Sequence, residues 1–197
     1  MKIIACLLCV LAWLYILHVL HSCNLSAWYF FVGSAGLFIL MIVFLRPITV
    51  EPLARMVASI SGVIGKLTGM YQTFFRYSVI FIESPQTTIT LQIDLECSGI
   101  LEIMAYVSLL TFFQVYNKTE KMFVGVLGVV GIILANALRI TVICIMIYFG
   151  GMNVYFVAHA IVGRLLFYVI TVVIYFYAFT KPQIIRTKVG NFMYGNS

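Results

Sequence analysis

The sequence predicts an all-α, polytopic membrane protein, a bundle of about six transmembrane helices. Three observations predict it. Of the 197 residues, 63% are hydrophobic and 9% charged, with a mean hydropathy of +1.11, whereas a soluble domain carries about 25% charged residues. Long apolar runs recur, each sufficient to cross about 30 Å of hydrocarbon. These runs do not alternate with period two, as the strands of a transmembrane barrel would. The chain, 1–197, reads as a single transmembrane domain with no soluble domain attached.

The first run, Ile3 to Leu20, follows Lys2. It reads as a retained span rather than a cleaved signal peptide, because bulky residues around His21 leave no clean cleavage site. The second spans Ser26 to Leu45 and is closed by Arg46-Pro47, since proline disfavours helical geometry at the residue before it. Residues 48–66 are less apolar and suit the membrane interface. A tilted third crossing is expected between Val57 and Ile82, with a re-entrant segment as the alternative. SPQTTITLQID at 84–94 alternates polar with apolar residues and predicts an extended surface segment. The fourth span is expected from Cys97 to Val115, and the polar NKTEK loop at 117–121 follows it. The fifth, Met122 to Phe149, exceeds the usual length and implies tilt or an extension beyond the hydrocarbon. The sixth runs from Phe156 to Phe179 and ends at Lys181-Pro182.

The net charge of +6 is scattered singly near helix ends. That is the pattern of positive-inside anchors in a cell membrane. No basic stripe is interleaved with aromatics, so the lipid bilayer, and not nucleic acid, is the expected partner. Six crossings place Lys2, Arg46, Arg55, Lys118, Lys121 and the tail (Lys181, Arg186, Lys188) in the cytosol with both termini. The loops at 21–25, 83–95 and 150–155 contain no lysine or arginine and fall outside. Cys97 then begins its span at the outer face.

Five cysteines occur, at 6, 9, 23, 97 and 144. Cys6, Cys9 and Cys144 read as small hydrophobes in apolar runs. Cys23 lacks the context of a lipoprotein processing site, and the set specifies no disulfide framework. Cys97 differs because two polar residues are expected at its depth. His159 lies one turn into the sixth span. Arg139 lies about 25 Å above Met122 at 1.5 Å per residue, with Asn136 one turn below it on the same face. Each has a plain alternative: Arg139 snorkelling to headgroups, His159 as an interfacial aromatic, Cys97 as a structural cysteine.

Together they suit thiol chemistry. A thiolate needs a nearby cation or base. His159 would take and return a proton, and Arg139 would stabilise an oxyanion. Ser98 and Gly99 would let a substrate backbone approach and leave first-turn N–H groups available. Gly163 shares the His159 face with Phe167 and would admit a neighbouring helix. Glu96, Arg164 and Arg76 are further candidates: Glu96 as an ion-pair partner, Arg164 as a second cation, Arg76 as a partner for Glu96. Asp94 reads as a solvated loop residue. No metal or other cofactor is expected, since the only histidines are 18, 21 and 159 and no HExxH is present.

At ECSGI (96–100), NALRI (136–140) and HAIVGRLLF (159–167) the sequence resembles the exosortase/archaeosortase family of membrane cysteine transpeptidases. The likeness is carried by about residues 80–170 within a motif-bearing core of about 80–180, and it is most like the short Gram-positive G-type exosortases. The resemblance implies Cys97 as nucleophile, with Arg139 and His159 in the arginine and histidine motifs. It implies cleavage, at the outer face, of the C-terminal sorting signal of a membrane-anchored substrate protein. The acyl group then passes from a Cys thioester to an acceptor lipid or amine. The alternative from another class is a non-enzymatic transporter or assembly component of an envelope polysaccharide or glycosylation system. There Arg139 would bind an anionic headgroup and Cys97 would be incidental.

Overall fold

A computed structural model describes residues 2–83, 88–93 and 95–185. Residues 84–87, Asp94 and the tail with Arg186 and Lys188 lie outside these, as does the Glu96 side chain. The chain forms α1 (Lys2–Ser22), α2 (Ser26–Phe44), α3 (Arg46–Thr68), β1 (Tyr71–Phe74), β2 (Val79–Glu83), β3 (Thr88–Gln92), α4 (Leu95–Ser98), α5 (Ile100–Phe112), α6 (Lys118–Gly150) and α7 (Gly163–Tyr175). A π-helical turn precedes α7 at Val157–Val162, and another follows it at Phe176–Thr180.

Four helical stretches are long and apolar enough to cross a membrane: Ser26–Phe44, Arg46–Thr68, Lys118–Val154 and Val157–Ile185. The apolar helices at Leu7–Ser22 and Ile100–Phe112 are shorter. The architecture is thus the expected helical bundle, with four qualifying spans rather than six. At 13 residues, α5 reaches only about 20 Å, because the Cys97–Val115 run is broken at Gly99.

Residues 67–82 form no crossing. They close α3 at Gly69 and then make the β1–β2 hairpin, while the third helix occupies 46–68. The less apolar composition of 48–66 reflects a helix with one buried face, Leu53, Ala54, Val57, Ala58 and Ser61 among it. The expected extended segment is present as β3, which pairs antiparallel with β2 in a three-stranded sheet of order β1-β2-β3. Tyr71, Ile80, Ile82, Ile89 and Leu91 bury one side of this sheet in a cluster with Ile143 and Ile147 of α6.

Packing also corrects the expected topology. The α1–α2 pair is a hairpin, with Trp13 Nε1 donating to the Val32 carbonyl at 3.0 Å. The start of α2 lies beside the end of α5, where the Tyr29 and Phe112 rings are 5.5 Å apart. The far end of α2 (Phe38, Met41) packs against Ile100 and Met104 at the start of α5. Through Leu45 the backbone stays right-handed helical (φ −91, ψ −32), and Thr49 N–H still donates to the Leu45 carbonyl at 2.9 Å. Pro47 sits in the first helical turn, where its missing N–H costs nothing. The chain therefore bends at Arg46-Pro47 and does not reverse, and α3 runs on past Cys97, with Ser61 Oγ 3.4 Å from Thr141 Oγ1.

The 21–25 turn consequently lies at the end of the bundle opposite Cys97, with the 117–121 loop. Arg55, exposed and paired with Glu51, lies on the turn of α3 that packs at the Cys97 layer. The sequence reading had these the other way round. The start of α1 and the end of the helix at 185 also fall at opposite ends of the bundle, whereas the sequence reading puts both termini on one side; the C-terminal tail itself lies outside the described residues.

Candidate active site

Three elements deliver the site. The first is the short link from sheet to bundle. Ile93 N–H donates to the Ser78 carbonyl at 2.9 Å, fastening the end of β3 just before α4. Cys97 lies in α4 and is 4% exposed. Gly99 follows with φ +72, a left-handed conformation that costs an L-residue with a Cβ about 1–2 kcal/mol. It turns the chain into α5. Cys97 therefore precedes the kink instead of opening a long helix, and a four-residue helix has too few aligned peptides for a useful dipole. Ser98 is 1% exposed, and its Oγ accepts from the Ile100 N–H at 3.4 Å. One of the first-turn donors expected to be open is thus engaged.

The second element is α6. Asn136 is wholly buried and Arg139 is 3% exposed, which excludes snorkelling to headgroups. Asn136 Nδ2 donates to the Cys97 carbonyl at 2.6 Å. An Arg139 guanidinium N–H donates to Cys97 Sγ at 3.8 Å. The same guanidinium lies 5.7 Å from the centroid of the Phe167 ring, whose π face attracts a cation. A buried arginine needs such partners in a membrane.

The third element is the π-helical turn before α7. His159 lies within it. A π turn displaces the side chains that follow, and such turns often occur at functional sites. His159 Nε2 lies 3.8 Å from Cys97 Sγ. The Tyr155 ring stacks on the imidazole with an interplanar angle of 3° and centroids 5.8 Å apart. Gly163 is where α7 meets α6: a Cβ there would lie 2.6 Å from Ile143 Cδ1.

Cys97, Arg139 and His159 thus lie together, with Ser98, Gly99 and Asn136 beside Cys97 and Gly163 at the contact of α7 with α6. Arg76 is exposed in the 3₁₀ turn between β1 and β2, and Arg164 is exposed on α7. Among the described residues no group of three histidine, cysteine or acidic side chains is placed to hold a metal. Sequence reasoning missed Tyr155, although its spacing four before His159 was a signal. It also missed the Tyr71–Ser61–Thr141 cluster, in which the Tyr71 hydroxyl donates to the Ser61 carbonyl at 2.7 Å. Those three are scattered in sequence, and nothing in the chain announces them.

The arrangement presents a buried thiol to one buried cation and one half-buried base. A family model described as transmembrane exosortase (Exosortase_EpsH) matches residues 2–176. Comparison with curated proteins and with solved structures returned no match.

Proposed function

The chain belongs to the transmembrane exosortase family, and from that premise we propose that it is a membrane cysteine transpeptidase acting on proteins held by a C-terminal sorting signal. The observation that carries this reading is the position of Cys97 Sγ, 3.8 Å from both His159 Nε2 and an Arg139 guanidinium nitrogen. His159 takes the thiol proton, and the thiolate attacks the scissile carbonyl. Arg139 stabilises the thiolate first and the oxyanion next. When the C–N bond breaks, His159 returns the proton to the leaving amine. The acyl group stays on sulfur until an acceptor amine, lipid nucleophile or water attacks it and regenerates the thiol. Asn136 holds the Cys97 backbone during both steps.

The reading places the site at the outer face. That side follows from the family premise and not from the basic residues, since Lys118, Lys121 and Lys181 lie at the far end of the bundle while Arg55 and Lys66 lie at or beyond the Cys97 layer. The likeness to the G-type group is part of the proposal and rests on the compact motif-bearing core. A transporter or assembly role has no use for a thiol flanked by acid–base and cationic groups.

The test compares envelope proteins from cells carrying wild type, Cys97→Ala or Cys144→Ala, with C-terminal peptides identified by mass spectrometry. The expected result is that uncleaved precursors accumulate only with Cys97→Ala. Unchanged C-termini in that strain would remove the enzyme reading.

A further inference from the structure

A cavity of about 1120 Å³ opens between α2, α5 and α7. Pockets for small molecules run to roughly 300–1,000 Å³, so this space exceeds that range. Its walls carry Phe30 and Phe38 from α2, Ala105 and Glu102 from α5, and Thr171 and Tyr175 from α7. It extends along α5 from Leu101 to Phe112, about 17 Å at 1.5 Å per residue, and on past the residues that follow the helix, Phe113 to Val115. Glu102, near its upper end, lies about one turn of helix beyond the Cys97–Gly99 link. No lysine or arginine is among the lining residues, and the ion pair found among the described residues is Arg55–Glu51. A carboxylate at this depth needs a partner or water. The cavity walls supply no opposite charge, so the half-buried Glu102 faces the open groove, where an occupant with a basic or hydrogen-bond-donating group would complement it.

We propose that this groove docks the transmembrane helix of the substrate, and that Glu102 selects a helix with a basic or hydrogen-bond-donating side chain in its outer turns. The inference rests on the transpeptidase reading for the identity of the substrate. The length of the groove suits the hydrocarbon part of a helix, and Ala105 lets a backbone approach closely, as small residues do between membrane helices. Continuity with the site decides between a helix and a lipid. A chain emerging from the upper end passes the Cys97–Gly99 link within a few residues, so the bond to be cut falls just outside the membrane helix.

The experiment uses full-length protein carrying Cys97→Ala in vesicles, so that binding is read without turnover. The probes are synthetic leucine/alanine transmembrane peptides with Lys, Leu or Glu one turn below the outer boundary, and a photoreactive phospholipid. Binding is read by energy transfer to a fluorophore on the peptide. The Lys peptide is expected to bind about tenfold more tightly than the Leu peptide, the order of one interhelical polar contact. Glu102→Gln should abolish that preference, and Glu102→Lys should transfer it to the Glu peptide. Equal binding of all three peptides to wild type would overturn the role of Glu102. Labelling of the Phe38 and Ala105 walls by the phospholipid, undisplaced by any peptide, would assign the groove to lipid. Neither failure touches the thiol chemistry, which the Cys97→Ala precursor test decides independently.

Discussion

Two regions of the bundle, the packed layer around Cys97 and the groove beside α5, are built differently. At the Cys97 layer, α3, α6 and the sheet close on one another, and Val57, Ala58, Ile80, Ile82, Ile140 and Ile143 are completely buried. Beside it, an open groove runs along the faces of α2, α5 and α7, which touch one another only along part of their length, and Phe31 on its wall is 66% exposed. Chemistry needs groups held to within a fraction of an ångström, and a closed, cross-braced region supplies that. Recognition of a membrane helix needs an unfilled surface. The molecule gives the two demands to adjoining regions, which meet at Glu102, one turn from the Cys97–Gly99 link.

The largest effect expected from breaking the packed layer is at Arg139. Arg139→Lys keeps the charge but loses the planar fork. Product formation at matched membrane abundance should fall on the order of hundredfold or more, about 3–4 kcal/mol of barrier, nearly as far as with Arg139→Ala. Wild-type turnover by the lysine variant would return Arg139 to a structural part.

The contrast in packing is sharpened by paired truncations. Ile82→Ala empties a site with no exposure and should cost about 2–5 kcal/mol. Phe31→Ala, on the groove wall, should cost less than about 0.5 kcal/mol. Denaturation in detergent measures both, and equal losses would show the two regions to be packed alike.

A smaller change is expected at the kink. Gly99→Ala meets only ordinary contacts, with Asn136 Nδ2 3.4 Å from the added Cβ, so the backbone conformation sets its cost at about 1–2 kcal/mol. Because the strain lies between Cys97 and α5, the rate of Cys97 alkylation should change more than the rate of unfolding. Unaltered alkylation would mean that the kink does not position the thiol.

The smallest effect concerns Tyr71, in the sheet. Burial raises its hydroxyl pKa above the usual 10.0, so the native state holds this proton more firmly than the unfolded chain. That contribution is fully present below pH 10 and is lost as pH rises through and beyond it. Tyr71→Phe should cost about 1 kcal/mol at neutral pH and flatten the fall in stability above pH 10. An equally steep fall in the variant would place the alkaline transition elsewhere.

Much of this was legible in the chain. Composition and run length give the helical membrane class, because hydrocarbon tolerates only backbones that satisfy their own hydrogen bonds. Cys97, Arg139 and His159 were legible as a set because helical rise converts residue number into depth. What sequence could not reveal was direction and continuity. Arg46-Pro47 reads as a stop, yet a proline in a first helical turn permits a bend, and only packing of α2 on α5 shows that the chain goes on. A crossing is expected between Val57 and Ile82, yet β1 pairs with β2 inside 71–83 and β3 extends that hairpin to a sheet, whose buried side is set by packing on α6, a contact sequence does not display. The kink at Gly99 and the π turn at His159 were equally hidden. Each is a local departure from the regular helix, held in place by neighbours from other elements, and they set the thiol 3.8 Å from both its base and its cation.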